Sequence, residues 1–297
     1  AELALARGHD VVVVDDLSSG DVSNVPPGAR LLRADVTRER DLGAIYELAR
    51  RDEVAVAHLA ALVSVPEARE NPVRAFQVNV LGTVNVLEVA RRLDAYVVVA
   101  SSAAVYGDPP RLPVTEDLPA RPLSAYGASK LAAEAAALAY SSEQGLGATA
   151  LRLFNVYGPR MRPGPYAGVI FRFLSSAIRG EPPAVYGDGM NTRDYVYVTD
   201  VADAFLAAIE RKARGVFNIG TGAEVSVLQL LDLVSAVTGQ RLSPTYAPPR
   251  PGDIRRSVAD ITRAREGLGW SPRVRLEEGL RLTLEWLKSS SLSSRSS

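Results

Sequence analysis

Five apolar runs of strand length, "VVVVD" (11–15), "RLLRAD" (30–35), "VAVAHLA" (54–60), "AYVVVAS" (95–101) and "GATALRLFN" (147–155), occupy the first half of the chain. Amphipathic segments of helix length, near 38–50, 73–93 and 126–144, lie between them. The apolar runs are continuous rather than alternating. A strand with one wet face alternates apolar and polar side chains, so unbroken Val, Leu and Ala require burial on both faces. Helical crossovers joining such strands predict an α/β fold built on a Rossmann-type, doubly wound parallel sheet.

Beyond about residue 156 the chain turns richer in Pro and Gly, as in "GPRMRPGPYAG", "RGEPPAVYGDG" and "YAPPRPGD". This shift predicts a Rossmann-type domain over 1–155, to which 192–220 returns, and a second, smaller α/β domain over 156–191 and 221–288. The Ser-rich end, 289–297, reads as a disordered tail. Within the second domain "SVLQLLDLVSAVTG" (226–239) predicts a helix, with Ser226 as N-cap and Gly239 just past its end.

Composition removes several classes of function. Lys and Arg total 34 and Asp and Glu total 34, with no basic stripe, so nucleic acid and anionic membrane are poor partners. The chain has no Cys and only two His, which excludes disulfides, thiol catalysis and Cys-ligated zinc and disfavours a His-rich metal site. No apolar run reaches the roughly 18 residues of a membrane span, and a cytoplasmic location is the expectation.

"VVVVDD" places Asp15 and Asp16 at the carboxyl end of a strand, where a Rossmann fold binds adenosine ribose. A carboxylate there accepts bonds from the ribose hydroxyls and repels a 2′-phosphate, favouring NAD over NADP. The following Ser18, Ser19 and Gly20, and Asp35 in "RADVT", strengthen that reading. The glycine-rich pyrophosphate turn that should precede this strand by one helix is expected upstream of Ala1.

"SAYGASK" (124–130) puts Tyr126 and Lys130 four apart, on one face of a helix. Only three of the 34 basic residues are Lys, so Lys at 130 reflects a demand that Arg does not meet. A nearby ammonium favours the phenolate of a tyrosine otherwise titrating near pH ~10. Upstream, "VVVASSAAVYG" (97–107) ends a buried strand in Ser101 and Ser102, where a hydroxyl can reach a substrate oxygen. Ser102 is the preferred of the two.

Taken in order, "SSAAVYG", "YGASK", "RLFNVYGP", "NTRDYVYVTDVADA", "NIGTG" and "LGWSPRVRLEEGLRLT" resemble the extended short-chain dehydrogenase/reductases that act on nucleotide sugars, in particular their UDP-glucose 4-epimerase branch. The resemblance covers residues 1 to about 288. It implies that Asp15 and Asp16 serve the ribose, that Asp35 and Val36 flank adenine, and that Leu59, Ala60, Ala61 and Ser101 line NAD, with Asn79 in support. Ser102, Tyr126 and Lys130 become the catalytic triad. Tyr126 takes the proton of the sugar 4-hydroxyl while C4 gives hydride to NAD, and the keto sugar is then reduced from its other face.

For a UDP-sugar, the resemblance further implies Asn155, Arg193 and Arg250 near the diphosphate, Val169 among the substrate contacts, Val185 and Tyr186 against uracil, and Asp253 on the uridine ribose. Ser257 takes a position beside the hexose where a bulky aromatic would exclude a 2-acetamido group. It also implies a homodimer, formed by helices near 74–93 and 126–144. Two other readings stay open. A 4,6-dehydratase of the same family would need an acid pair after the catalytic hydroxyl, where this chain has Ala103 and Ala104. A non-catalytic NAD or nucleotide-sugar scaffold would leave the triad unused.

Overall fold

A computed structural model describes residues 1–49, 53–161, 164, 167–250 and 252–293. All five apolar runs form strands: Val12–Asp15, Arg30–Arg33, Ala55–His58, Tyr96–Ser102 and Ala148–Leu153. Four parallel strands make the central sheet, in the order Gly215–Ile219, Ala148–Leu153, Tyr96–Ser102, Ala55–His58. Tyr96–Ser102 is buried along nearly its whole length, as an unbroken run of Val demands. Val12–Asp15 and Arg30–Arg33 pair with each other, also in parallel, and are less deeply buried.

Helix Gly82–Arg92 ties the two sheets together. Its Val86 and Val89 join Ala34, Val36 and Leu42 in one core cluster, against which Val14, Leu32 and Val56 pack. Gly82 permits the approach, since a Cβ there would lie 2.8 Å from Val36 Cγ2. On the other side of the sheet, helix Val198–Arg211 packs Val201, Ala204, Phe205 and Ala208 against Val98, Leu151 and Phe217.

The segment 38–50 does not form the continuous helix its pattern suggests. A 3₁₀ turn (Glu39–Leu42) and a single α-turn (Ile45–Leu48) flank Gly43, whose conformational freedom raises the cost of helix at the join, and Arg50 lies outside the described residues. The 73–93 pattern is helical but carries a π-helical stretch, Gln77–Leu81, between Pro72–Phe76 and Gly82–Arg92. Such insertions recur at functional sites because they redirect side chains out of helical register.

A second core gathers Tyr157, Phe173, Leu174, Val185, Leu230, Val234, Leu280 and Leu284. Helix Val227–Thr238 starts as expected, with Ser226 and Gln229 forming a reciprocal capping box, and ends at Gly239 in the left-handed conformation, φ +70°. Trp270, Leu268 and Ala264, although late in the sequence, pack into the core of the first sheet.

Candidate active site

The central sheet ends its strands at one edge, and there Ser102 and Tyr126 meet. Ser124 caps helix Ala125–Gln144 by accepting from the Gly127 amide at 3.0 Å. A Cβ on Gly127 would fall 2.6 Å from Ala104 O, so glycine alone lets this helix start lie against the end of Tyr96–Ser102. That close approach brings the Tyr126 phenol close to the Ser102 hydroxyl. Burial pushes the phenol above its ordinary pKa, and the neighbouring Ser102 hydroxyl partly offsets this.

Lys130 lies one turn further in. It is buried, its Nζ donates to Ala100 O at 2.8 Å, and desolvation lowers its pKa to about 8. The expected stabilisation of a phenolate by this ammonium is therefore not what dominates at Tyr126 here, because the amine is turned to the backbone and burial outweighs other influences on the phenol. An ammonium carries three donors. One is spent on Ala100, and two suit a vicinal diol.

Ser101 and Ser102 part company, since successive strand side chains face opposite ways. Ser101 Oγ donates to Glu134 Oε2 at 2.6 Å inside the core, and Glu134 is held by Arg152 through 2.6 and 3.0 Å bonds. With its side chain so committed, Ser101 can offer a cofactor its backbone. Glu134 extends the spacing of Tyr126 and Lys130 by one more turn on the same helix face, which was the one sequence signal for it.

Beneath Tyr126 runs a chain of hydrogen bonds. Ser129 Oγ donates to Tyr126 O at 2.8 Å and accepts from Asn79 Nδ2 at 2.8 Å, while Asn79 also binds Leu62 N and O. Asn79 sits in the π-helical stretch, and its carbonyl accepts from Thr83 Oγ1 at 2.6 Å. Since Thr83 spends its single proton there, His58 Nε2, 2.9 Å from Thr83 Oγ1, must be the donor to it. His58 is thus neutral and tautomerically fixed, and burial with the charge of Lys130 lowers its pKa to about 3. Thr83 carried no motif signal, and Ser129, although inside "YGASK", was assigned no role by it; only folding places them in this network.

At the strand end, Asp15 Oδ1 accepts from Leu17 N at 2.7 Å, and Asp16 Oδ1 accepts from Ser18 N and Oγ. A Cβ on Gly20 would stand 2.8 Å from Asp15 Oδ1, so the turn leaves that carboxylate uncrowded. Asp35 Oδ1 accepts from Thr37 N and Oγ1, and Asn85 Nδ2 donates to Val36 O. Leu59 is 56% exposed, and Ala60 packs on the Val36 cluster. An aspartate free to accept from a diol, small residues at 60 and 61, and a Lys with donors to spare fit a dinucleotide.

The residues expected to meet the substrate fall into separate groups. Arg193 is fixed by Asp253 Oδ1 at 2.5 Å and by the carbonyls of Thr192 and Ile254, and Asn191 also donates to Asp253. Arg250 lies over the Tyr186 ring, 3.9 Å from its centroid. Val185 is fully buried in the second core, so only its backbone can face a ligand. Asn155 is exposed, Val169 opens helix Val169–Arg179 half-buried, and Ser257 is half-buried.

A sequence profile of the NAD-dependent epimerase/dehydratase family matches residues 1–220. The UDP-glucose 4-epimerase of Mycolicibacterium smegmatis is 40% identical over 295 residues, which are 97% of this chain and 93% of that one. The Thermotoga maritima UDP-glucose 4-epimerase, solved with UDP-glucose, superposes with a TM-score of 0.93 at 39% identity, covering 97% of this chain and 94% of that one. The Thermus thermophilus UDP-glucose 4-epimerase, solved with NAD, gives 0.90 at 38% identity with the same coverage. Matched over most of its length in sequence and fold, the chain belongs to the NAD-dependent epimerase/dehydratase family.

Proposed function

We propose that this protein is a UDP-hexose 4-epimerase, interconverting UDP-glucose and UDP-galactose with NAD held through the cycle. The carrying observation is the Tyr126 phenol brought close to the Ser102 hydroxyl at the sheet edge, one helical turn from buried Lys130, whose Nζ is held by Ala100 O. Bound NAD supplies hydride acceptance and return at C4, so the sugar passes through a 4-keto form. Tyr126 moves the proton of the 4-hydroxyl, and Ser102 shares that proton and holds the sugar oxygen in line. Lys130 orients the cofactor ribose through its remaining donors and lowers the cost of a phenolate once the site is filled. Asp15 and Asp16, with Asp35 and Val36, seat the adenosine end.

Arg193, Arg250 and Asn155 serve the diphosphate, Tyr186 and the Val185 backbone the uracil, and Asp253 the uridine ribose. Residues 1–155 with 192–220 form the NAD-binding domain, whose core Ala264, Leu268 and Trp270 also join, and 156–191 with the rest of 221–288 form the sugar-nucleotide domain. Ala103 and Ala104 provide no acid for elimination, which favours epimerisation over dehydration. The protein acts as a homodimer. An exposed apolar face made by Pro72, Val73, Phe76 and Leu81 supports this, with Val73 69% and Leu81 48% accessible.

The test is conversion of UDP-galactose to UDP-glucose by the full-length protein, comparing wild type with Tyr126→Phe. Turnover that falls by roughly 10²–10⁴-fold in the variant while NAD stays bound is expected. NAD binding without turnover of any UDP-hexose would overturn the reading in favour of a scaffold.

A further inference from the structure

Arg172, in the first turn of helix Val169–Arg179, is placed unusually for a cation. Its Nε is sealed from solvent and has no hydrogen-bond partner. Among the described residues, neither Arg172 nor Arg250 forms an ion pair with a carboxylate, although most surface arginines nearby do: Arg193 has Asp253, Arg255 has Asp188, and Arg256 has Glu224. Instead both guanidiniums crowd one aromatic ring. Arg250 lies 3.9 Å and Arg172 5.5 Å from the centroid of Tyr186.

Two like charges on one ring, without an acid to neutralise them, are costly when partly desolvated. Burial and the charge of Arg250 both depress the Arg172 pKa, and the two cations together depress the Tyr186 phenol. Cation–π contact offsets part of this cost but leaves the net charge in place. An anion carrying at least two charges balances the pair. Because no carboxylate holds either guanidinium, an incoming phosphate displaces no competing anion.

We propose that Arg172 is a phosphate-binding residue, pairing with Arg250 to clamp the diphosphate of the nucleotide sugar from the Tyr186 side. The inference rests on the UDP-sugar reading, and it deepens that reading by assigning a cation which no motif pointed to. The ligand class is a nucleoside diphosphate. Its phosphate oxygens engage a planar fork in a way a single ammonium cannot.

The experiment is calorimetric titration of the full chain with UDP, UMP and uridine, at two salt concentrations, for wild type, Arg172→Met and Arg172→Lys. Met preserves length and apolar packing, and circular dichroism verifies the fold. Arg172→Met is expected to weaken UDP by roughly ten- to hundred-fold, UMP less, and uridine not at all, with a shallower salt dependence. Arg172→Lys recovers part of the UDP affinity, and KM for UDP-galactose rises while kcat holds. Unchanged UDP affinity in Arg172→Met, or an equal loss for uridine, would overturn the inference alone. A wild-type chain that binds none of the three overturns the functional reading and this inference with it.

Discussion

Ser101 and Ser102, neighbours on one strand, have opposite employments: the Ser101 hydroxyl is bonded to Glu134 at 2.6 Å within the core, and the Ser102 hydroxyl lies close to the Tyr126 phenol at the sheet edge. Pleating of the strand forces the division. One serine locks helix Ala125–Gln144 to the sheet from behind, and the other is left for chemistry on the side where that helix begins. The position of the reacting oxygen is thus tied to a buried ion pair that never touches substrate.

Breaking that ion pair should cost much more than a surface substitution. Glu134 and Arg152 are 3% and 7% exposed in their side chains, and Arg152 also donates to the Tyr106 hydroxyl at 2.8 Å. Glu134→Gln leaves a buried guanidinium uncompensated, and urea unfolding should show a loss of about 3–5 kcal/mol. Glu134→Met combined with Arg152→Met should lose less than either single change.

His58 gives the folded state an acid limit. The unfolded imidazole takes up a proton below pH about 6.5, whereas the folded one resists until about 3. The unfolded state therefore binds more protons throughout that window, and stability falls as pH falls, by about 2 kcal/mol between pH 6.5 and 4.5. His58→Gln keeps a donor for Thr83 and cannot titrate, so its stability should be flatter over the same range in chemical denaturation. His58→Leu leaves Thr83 without that donor and should lower kcat for UDP-galactose more than it changes KM.

Asp15 should control choice of cofactor. Asp15→Asn removes the charge that repels a 2′-phosphate, and is expected to weaken NAD roughly tenfold while narrowing its advantage over NADP, as read by fluorescence titration. Gly20→Ala should weaken NAD as well, because the added methyl meets Asp15 Oδ1 at 2.8 Å.

Phe76→Glu places a charge in the apolar face of Val73 and Leu81. Sedimentation equilibrium should show twice the chain mass for wild type and a single chain mass for the variant at micromolar concentration. A wild-type monomer would refute the dimer.

Ser257 should set tolerance for the 2-substituent of the sugar. Wild type is expected to turn over UDP-N-acetylglucosamine as well as UDP-galactose. Ser257→Tyr should lose the former activity by at least about tenfold and keep most of the latter, since filling a sugar-sized space affects only the larger substrate. Loss of both together would place Ser257 elsewhere than beside the hexose.

The sequence alone determined the parallel sheet, because doubly buried strands must be written as unbroken apolar runs, and all five runs became strands. It also determined that Tyr126 and Lys130 share a helix face, that Ser226 and Gly239 bound a helix, and that Asp15 ends a strand, since each depends on spacing within a few residues. What tertiary structure decided lies across longer separations. That the strand end carrying Ser102 comes beside Tyr126, and that His58, Thr83, Asn79 and Ser129 join beneath it, depends on two helices packing against a strand edge through a glycine at 127. That Arg172 finds Tyr186 and Arg250 depends on a helix, a short strand and a loop converging. No local period encodes these meetings, because the partners lie tens of residues apart and burial, not sequence spacing, selects them.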